Sequence, residues 1–386
     1  MAENKIITIR DPIHGQIDLF DYEVKLLDLP IFQRLRNIKQ VGLTYLVYPG
    51  AQHSRFEHSI GSLFLAEKFA AVLKLDQEKR RYLRLSALLH DLGHMAFSHD
   101  SEMVVKKQLN LDHEVLTKEF IKNSPIREVL QENSLDEKKL INFLDGKDVG
   151  AIVSFDVGAD RLDYLLRDSY YTGVAYGIIE WERVVSSSKW KKDRPIISAG
   201  GIEAAESTIL ARFLMFHTVY YQHTVRIARA MFQRALQTSI KEKVVDLEKL
   251  KVFGDLELLY YLKDSSNELC SYLANCLLER RLYKRALVLE WEKLSKQKKD
   301  FIKNKLEEML YREFLDDAIL IMPENFSSSI NLEVEDKNGK IQKLQNISPL
   351  TSSLLVSAAK KATLIICSKK ELVSQIKRKV KSWLNL

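Results

Sequence analysis

Histidines that could bind a metal or transfer protons are concentrated in the first third of the chain. The segment Leu83–His94 carries His90, Asp91 and His94 among residues that are apolar on nearly all sides, and it predicts a buried helix. Burying these polar groups is costly unless a metal or a counter-charge compensates them. On such a helix, His90 and His94 share one face, and Asp91 lies about 100° round, close enough to reach the same ion.

Two other predicted helices could supply further ligands. His58 falls on the inward stripe of Arg55–Phe69, although a single inward histidine is more often a core residue than a ligand. Asp160 is the best candidate for a fourth ligand, on a polar stripe opposite a leucine-rich face. By spacing alone, this stripe is more typical of a solvated face than of a phosphate and sugar pocket. The stripe consists of Asp160, Tyr164, Arg167 and Asp168.

The surroundings of the His90-Asp91 dipeptide make it informative, because a His-Asp pair by itself has little specificity. A second histidine follows four residues on, then His99, and then the pair His113-Glu114. Mixed imidazole and carboxylate ligands suit Mn, Fe, Zn or Ni, and an incomplete protein shell leaves positions for water and a substrate phosphate.

The elements that would position these residues are mostly helices. The chain has 386 residues with only 14 Gly and 7 Pro, which argues against disordered and turn-dense all-β architectures. Two short β-type runs, Ile6–Ile9 and Gln16–Leu19, flank a Pro/Gly turn and predict an N-terminal hairpin. From Phe32 to about Leu289, apolar residues recur at spacings of three and four, which predicts a helical core.

The C-terminal residues have a different pattern. Ile330–Glu335 and Lys340–Leu344 flank Asn338-Gly339, which is typical of a hairpin, and Ala362–Cys367 is a β-branched run that predicts a strand. The last predicted helix, Lys370–Leu386, has one apolar and one basic face. A packing helix is favoured for it over a nucleic-acid or membrane contact.

These patterns together predict a mainly α fold with a small N-terminal hairpin. We expect a helical core over residues 1–290 and a smaller α+β lobe over residues 291–386.

Composition narrows the function classes only moderately. The net charge of +7 fits a phosphate-bearing partner and an ordinary soluble surface equally well. No stretch approaches about 18 consecutive apolar residues, and Met1–Arg10 lacks the apolar core of a signal peptide, so we expect a cytoplasmic protein without membrane contact. Cys270, Cys276 and Cys367 lie far from the histidines and show no ligand spacing, which argues against a disulfide framework or a zinc ribbon.

Four segments between Phe32 and His99 carry a distinctive pattern in a fixed order: Phe32–Gln40, Tyr48–Ser59, His90–His94 and Phe97–His99. They strongly resemble the HD-domain phosphohydrolases. Within that superfamily they are similar to the deoxynucleoside triphosphate triphosphohydrolase branch, which includes the bacterial dGTPases. The resemblance runs from about Asp11 to about Arg229.

The resemblance implies an activity and a role for each matching residue. The implied reaction is metal-dependent hydrolysis of a deoxynucleoside triphosphate to the deoxynucleoside and triphosphate. A divalent metal (Mn, Fe, Zn, Ni or Mg) would be held by His58, His90, Asp91 and Asp160. The residues implied around the reacting phosphate are His94, His99, His113 and Glu114. Those implied to contact phosphates or to surround the nucleoside are Gln40, Val41, Arg55, Arg161, Tyr164, Asp168, Tyr221 and Gln222.

A regulatory nucleotide is implied more weakly. In the vertebrate member of the family, a guanine nucleotide binds between subunits, and Asp28, Gln33 and Arg36 match positions that read its base. Ile7 stands where a lysine for its phosphates is expected. Arg36 and Asp28 could equally form a surface ion pair, with Gln33 merely exposed. Family members assemble as dimers or tetramers, so the resemblance also implies a homo-oligomer.

The sequence leaves other functions open. Met215–Thr224 lacks the Arg-bearing insertion and the following Lys of the vertebrate enzyme, so a diphosphate substrate is an alternative to a triphosphate. Other HD hydrolases would cleave guanosine polyphosphates or cyclic nucleotides. A non-catalytic nucleotide or nucleic-acid binding module is the alternative from a different class, and the intact set of candidate ligands argues against it.

Overall fold

A two-stranded antiparallel hairpin opens the fold, as predicted. In the computed structural model, which describes residues 5–324 and 330–386, strand β1 (Lys5–Asp11) pairs with β2 (Gly15–Phe20). Gly15 closes the turn at a φ of 73°, in the left-handed region that favours glycine. The hairpin packs against α1 and α3 of the helical core.

Helices make up most of the rest, which confirms the mainly α fold. The helices before residue 190 are α1 (Asp21–Leu27), α2 (Pro30–Gln33), α3 (Arg55–Val72), α4 (Gln77–Leu89), α5 (His99–Leu109), α6 (His113–Asn123), α7 (Ile126–Glu132), α8 (Glu137–Leu144), α9 (Ala151–Ser154), α10 (Ala159–Thr172) and α11 (Trp181–Ser186). The later helices are α12 (Ile202–Met215), α13 (His223–Lys241), α14 (Leu247–Val252), α15 (Asp255–Lys263), α16 (Glu268–Leu278), α17 (Lys296–Phe301), α18 (Glu307–Phe314), α19 (Leu344–Ile347), α20 (Pro349–Lys360) and α21 (Val373–Trp383).

Helix α3 is the central element of the first core, where it packs against both α4 and α10. It begins with a capping box, because the Ser54 hydroxyl accepts from the Glu57 backbone N–H and the Glu57 carboxylate accepts from the Ser54 N–H. Leu63, Leu85 and Leu162, one from each helix, are fully buried between them. A second core lies around α13, α15 and α16.

Two further sheets contain the C-terminal strands. Strand β5 (Lys284–Glu290) pairs with β9 (Thr363–Ser368), which also pairs with β6 (Ala318–Ile321). Helix α21 packs on this sheet through Ile376 and Val380, both fully buried. The apolar face of the last helix therefore packs as predicted. A nucleic-acid contact of its basic face stays the less favoured alternative.

The other sheet joins the C-terminal residues to the helical core. Strands β7 (Glu333–Glu335) and β8 (Ile341–Lys343) form the predicted hairpin, and β7 runs parallel to β4 (Arg194–Ile197). Strand β4 pairs in turn with β3 (Ser188–Lys191), in a region where the sequence predicts helix. The division at residue 290 remains a prediction.

The β3–β4 hairpin escapes the sequence analysis because its turn lacks the usual glycine. Lys192 and Asp193 both take positive φ there, at 51° and 57°. Within residues 5–324 and 330–386, no helix combines the length and apolar character needed to span a membrane.

Candidate active site

Three helices bring together the four side chains that the resemblance implies as metal ligands. His58 lies in α3, Asp160 lies in the first turn of α10, and His90 and Asp91 directly follow α4. His58 Nε2 is 3.1 Å from Asp160 Oδ1 and 3.5 Å from Asp91 Oδ2. His90 Nε2 is 3.4 Å from Asp91 Oδ1 and 3.7 Å from Asp160 Oδ1. Imidazole and carboxylate donors at these separations could surround one cation.

The predicted helix through His94 is wrong, because α4 ends at Leu89. His90 caps it, and the chain then turns through Gly93, so His90 and His94 do not share a helical face. A Cβ on Gly93 would lie 2.1 Å from the His113 carbonyl oxygen, so the turn packs too closely on α6 for a larger residue. The turn directs His90 towards Asp160 and His94 towards His113.

The imidazole orientations fit a bound cation. His58 Nδ1 is 2.7 Å from Asp163 Oδ2, and His90 Nδ1 donates to the Ala87 carbonyl oxygen at 2.8 Å. These bonds leave both Nε2 atoms facing the cluster, where a neutral imidazole would offer its lone pair to a cation. Within the part of the chain that the structure describes, His90 Nε2 has no hydrogen-bond partner. A divalent cation could accept the lone pairs of these Nε2 atoms.

The electrostatics of the cluster also favour positive charge. Burial opposes protonation of His58, but hydrogen bonds to Asp160 and Asp163 outweigh it and raise its pKa to about 10. Burial likewise opposes ionisation of Asp160, yet His58 and His90 hold the pKa of its carboxyl well below the usual range. Arg55 forms a buried ion pair with Asp91, and its Nε donates to Ser98 Oγ at 2.9 Å.

A second cluster, His94, His99, Glu102 and His113, lies beside the first. The rings of His94 and His113 stack at 4.1 Å with an interplanar angle of 8°. The Glu102 carboxylate bridges His113 and His99, at 2.5 Å from His113 Nδ1 and 2.7 Å from His99 Nδ1. Burial, with Arg55 and His113 adding to it, lowers the pKa of His94 well below its usual value. Burial also lowers the pKa of His113, but the hydrogen bond to Glu102 outweighs burial, so the pKa of His113 is raised.

Two adjoining cavities open on these clusters. The first, of about 300 Å³, borders His90, Asp91, Asp160, His113 and Glu114. The second, of about 410 Å³, is lined mainly by aromatic and polar side chains. Its lining includes Val41, Asp168, Phe216, Tyr220, Tyr221, Arg229 and Glu324. Gln40, Arg55, His99 and Tyr164 border both cavities, so the two lie side by side.

The comparisons with known proteins identify the family. Residues 55–166 match the model of the HD domain, and residues 179–386 match that of the HD associated region. The chain belongs to the HD-domain family. The predicted membership of the HD-domain phosphohydrolases is thus confirmed, and the four clustered ligand candidates lie within its HD domain.

The relatives of this protein include uncharacterized proteins and proteins named for an enzymatic activity. It is 38% identical over 382 residues to an uncharacterized protein of Methanocaldococcus jannaschii, covering 96% of this chain and 80% of that one. It is 34% identical over 236 residues to the deoxynucleoside triphosphate triphosphohydrolase SAMHD1 homolog of Dictyostelium discoideum, covering 56% of this chain and 44% of that one. A crystal structure of a hypothetical protein from Aquifex aeolicus superposes with a TM-score of 0.82 at 27% identity, covering 97% of this chain and 100% of that one.

Most of the predicted catalytic, substrate-binding and metal-binding residues line the two cavities, but His58, His94, Arg161 and Gln222 do not. Arg161 forms an ion pair with Asp156 at 3.1 Å and borders a separate cavity with Arg194. Gln222 caps α13, because its Oε1 accepts from the backbone N–H groups of the first helical turn.

The predicted solvated face of α10 is wrong, since Arg167 and Asp168 of the polar stripe are buried and Asp160 and Tyr164 are half-buried. Both oxygens of Asp168 are engaged, at 2.7 Å from His53 Nε2 and 2.5 Å from the Tyr220 hydroxyl.

The residues considered for a regulatory nucleotide lie near the start of the chain, outside the cavity. Arg36 donates to Gln33 Oε1 at 2.8 Å instead of pairing with Asp28, and its guanidinium stacks on the ring of Phe56. Gln33 also donates to the Leu27 carbonyl oxygen, at 2.8 Å.

Sequence reasoning missed Glu102, Asp163 and Tyr220. Glu102 is three residues after His99 on α5, and Asp163 is three residues after Asp160 on α10, so helical spacing could have indicated both. Tyr220 lies in a π-helical turn that follows α12, where a 3.6-residue period gives no guide to side-chain direction.

Proposed function

We propose that the protein is a metal-dependent hydrolase that converts deoxynucleoside triphosphates to deoxynucleoside and triphosphate. One observation carries the proposal: a cavity that borders three of the four proposed metal ligands, His90, Asp91 and Asp160, adjoins a second cavity lined by tyrosines. Arg55 and Tyr164 border both cavities. That arrangement suits a ligand with phosphates at one end and a nucleoside at the other. The likeness to the named triphosphohydrolase of Dictyostelium supports the same substrate class.

The proposed metal ligands are His58, His90, Asp91 and Asp160. Their donor atoms and their negative electrostatic environment fit a divalent cation, and HD domains bind such cations. When bound, the cation would lower the pKa of a water molecule and polarise a phosphoryl oxygen. Asp163 and the Ala87 carbonyl hold the two imidazoles in the tautomer that can bind it.

The second histidine cluster supplies the proton transfers in this proposal. Water attacks the α-phosphorus, the bond to the 5′ oxygen breaks, and that oxygen must receive a proton to leave as a neutral hydroxyl. His113 is the proposed donor, because Glu102 raises its pKa and favours its protonated form. His94 stays neutral beside it, and Arg55 offers positive charge to the phosphate. His99 and Glu114 border the same phosphate end of the cavity.

The tyrosine-lined part of the cavity is proposed to bind the nucleoside. Gln40 and Val41 would border the nucleoside, while Tyr164, Asp168 and Tyr221 would surround the sugar. A tyrosine ring against C2′ leaves no room for a 2′-hydroxyl, which gives a steric preference for deoxyribose.

Arg161 and Gln222 would reach a phosphate or sugar only after leaving their present hydrogen bonds. Of the two arginines predicted to contact phosphates, only Arg55 lines the cavity beside the proposed metal ligands.

Chromatography of reaction products tests the proposal. The purified protein is incubated with each dNTP, rNTP and dNDP in the presence of Mn²⁺ or Mg²⁺, beside a His90→Ala/Asp91→Ala variant. We expect deoxynucleoside and triphosphate from the dNTPs, slow or no turnover of rNTPs, and no products from the variant. Release of orthophosphate or pyrophosphate, or turnover of diphosphates or cyclic nucleotides instead, would overturn the dNTP assignment in favour of another phosphohydrolase activity.

A further inference from the structure

The turn of the N-terminal hairpin inserts a histidine into the helical core. The His14 side chain is almost completely buried, and its ring stacks on Phe64 of α3 at 4.7 Å and meets the edge of Trp181 at 6.3 Å. Its Nε2 donates to Asp163 Oδ1 at 2.7 Å. A polar side chain from a surface hairpin thus reaches the carboxylate that also contacts His58.

Asp163 connects this hairpin turn to the proposed metal ligand. Its Oδ1 accepts from His14 and from Arg167 Nη2 at 2.8 Å, and its Oδ2 accepts from His58 Nδ1 and from Arg167 Nε at 2.9 Å. Each oxygen therefore accepts two hydrogen bonds, which fixes the plane of the carboxylate. A fixed carboxylate in turn fixes the ring plane and the tautomer of His58.

A second connection ties the same turn to α10. Arg167 Nη1 donates to Asp11 Oδ2 at 2.9 Å, and Asp11 Oδ1 accepts from the backbone N–H groups of Ile13 and His14. Gly61 of α3 makes room for the network, because a Cβ there would lie 1.9 Å from Asp163 Oδ1. The hairpin turn, α3 and α10 are joined at one buried point.

We infer that the hairpin turn Asp11–Gly15 is a positioning element of the metal centre, in which His14 acts on His58 through Asp163. The inference rests on the metal site of the proposed function. His14 touches neither the cavity nor the proposed ligands directly, so it is a positioning residue. It donates one of the two hydrogen bonds that Asp163 Oδ1 accepts.

The expected effect of losing this donor follows from the remaining contacts. Arg167 still holds Asp163 by two hydrogen bonds, so the carboxylate stays in place but is free to tilt, and His58 tilts with it. Partners outside the metal ligands typically change metal affinity by about 10- to 100-fold when they are removed. Because His14 is one step further from the metal, we expect a loss of about tenfold, at the lower end of that range.

The experiment compares hairpin variants by metal binding. His14→Leu and His14→Ala remove the donor, the former keeping most of the contact with Phe64 and Trp181, while His14→Gln retains an N–H that can reach Asp163. Thr8→Ala is the matched control, because Thr8 bonds Asp18 on the exposed side of the same hairpin. For each full-length protein, the Kd for Mn²⁺ is measured against a chelating dye, with the visible absorption spectrum of the Co²⁺-loaded form and the Tm in EDTA.

The outcomes separate positioning from simple structural support. We expect a Kd about tenfold higher and an altered Co²⁺ spectrum for His14→Leu and His14→Ala, recovery in His14→Gln, and no change in Thr8→Ala. An unchanged Kd and spectrum in whichever of the two donor-free variants folds, even with a lowered Tm, would overturn the inference. If the unmodified protein binds no metal, the metal site itself fails and this inference with it. If the protein binds metal but does not hydrolyse dNTPs, only the proposed substrate is wrong, and this inference stands.

Discussion

At the scale of single residues, the pKa values of the two stacked imidazoles of His94 and His113 are shifted in opposite directions. Burial lowers the pKa of His94, whereas the hydrogen bond to Glu102 overcomes burial and raises that of His113. Neighbouring groups whose pKa values are pushed apart are typical of acid and base assignments in enzymes. Glu102 is the residue that creates the difference here, through its 2.5 Å contact with His113.

Glu102→Gln should therefore shift the pH dependence of the reaction. Without the carboxylate the pKa of His113 falls, so the protonated donor is lost at a lower pH. We expect the alkaline limb of the kcat/KM profile to move to lower pH and kcat to fall by about 100-fold or more. Measured rates across the pH range of the unmodified enzyme provide the comparison. Glu128→Gln, an exposed position on α7, is the control. An unmoved alkaline limb would mean that His113 is not the titrating acid.

At the scale of elements, the contact of α3 with α10 depends on Gly61. An alanine in the middle of a helix normally stabilises it by about 1 kcal/mol relative to glycine. At Gly61 the added Cβ would meet Asp163 Oδ1 at 1.9 Å and Arg167 Nη2 at 2.4 Å, both fully buried.

We expect Gly61→Ala to lower the free energy of unfolding by about 1–3 kcal/mol, because the two helices must separate locally. Urea unfolding at matched pH measures this change. A stabilised Gly61→Ala protein would show that α10 can shift without cost.

Asp255, the first residue of α15, connects two segments that border the site. It accepts from the backbone N–H groups of Lys39 at 3.0 Å and Phe97 at 2.6 Å. Phe97 and Ser98 both have left-handed φ, 62° and 53°, and Ser98 contacts Arg55. Asp255 thus holds a strained turn behind the candidate active site.

The same residue gives the fold a pH dependence of known sign. Burial raises the pKa of Asp255 to about 6, above the 3.8 of an exposed carboxyl. A raised carboxyl pKa contributes stability below about pH 4, and that contribution is lost as pH rises to about 6. From about pH 4 to about pH 7, the unmodified protein should lose about 3 kcal/mol relative to Asp255→Asn. Urea unfolding of both proteins measures the difference, and a constant difference would contradict the pKa direction.

The elements that could be predicted from the sequence are those whose pattern is local. The N-terminal hairpin follows from a Pro/Gly turn between alternating residues, and inward His58 follows from helical spacing. The end of α4 at Leu89 could not be predicted, because it depends on the packing of Gly93 against α6. The hydrogen bond between His14 and Asp163 joins residues 149 positions apart, and a local sequence pattern cannot predict such a contact.

At the scale of the whole molecule, distant parts of the chain complete one cavity. Arg229 of α13 forms an ion pair with Asp100 of α5 and another with Glu324, which follows β6. Glu324 therefore brings the C-terminal part of the chain to the proposed nucleoside space, which the first core borders through Tyr164. The cavity lies where the two larger hydrophobic cores meet, so its shape depends on the folding of the whole chain.

Metal binding at the proposed centre should stabilise the whole folded chain. His58, Asp91 and Asp160 come from three separate elements, so only the folded chain can bind a cation with all of them. A ligand that binds the native state alone adds about 2.7 kcal/mol at a concentration 100 times its Kd. We expect saturating Mn²⁺ to raise the Tm by several degrees and EDTA to reverse the rise. Differential scanning calorimetry of the unmodified protein and Asp160→Ala checks this, because an equal rise in the variant would place the binding outside this cluster.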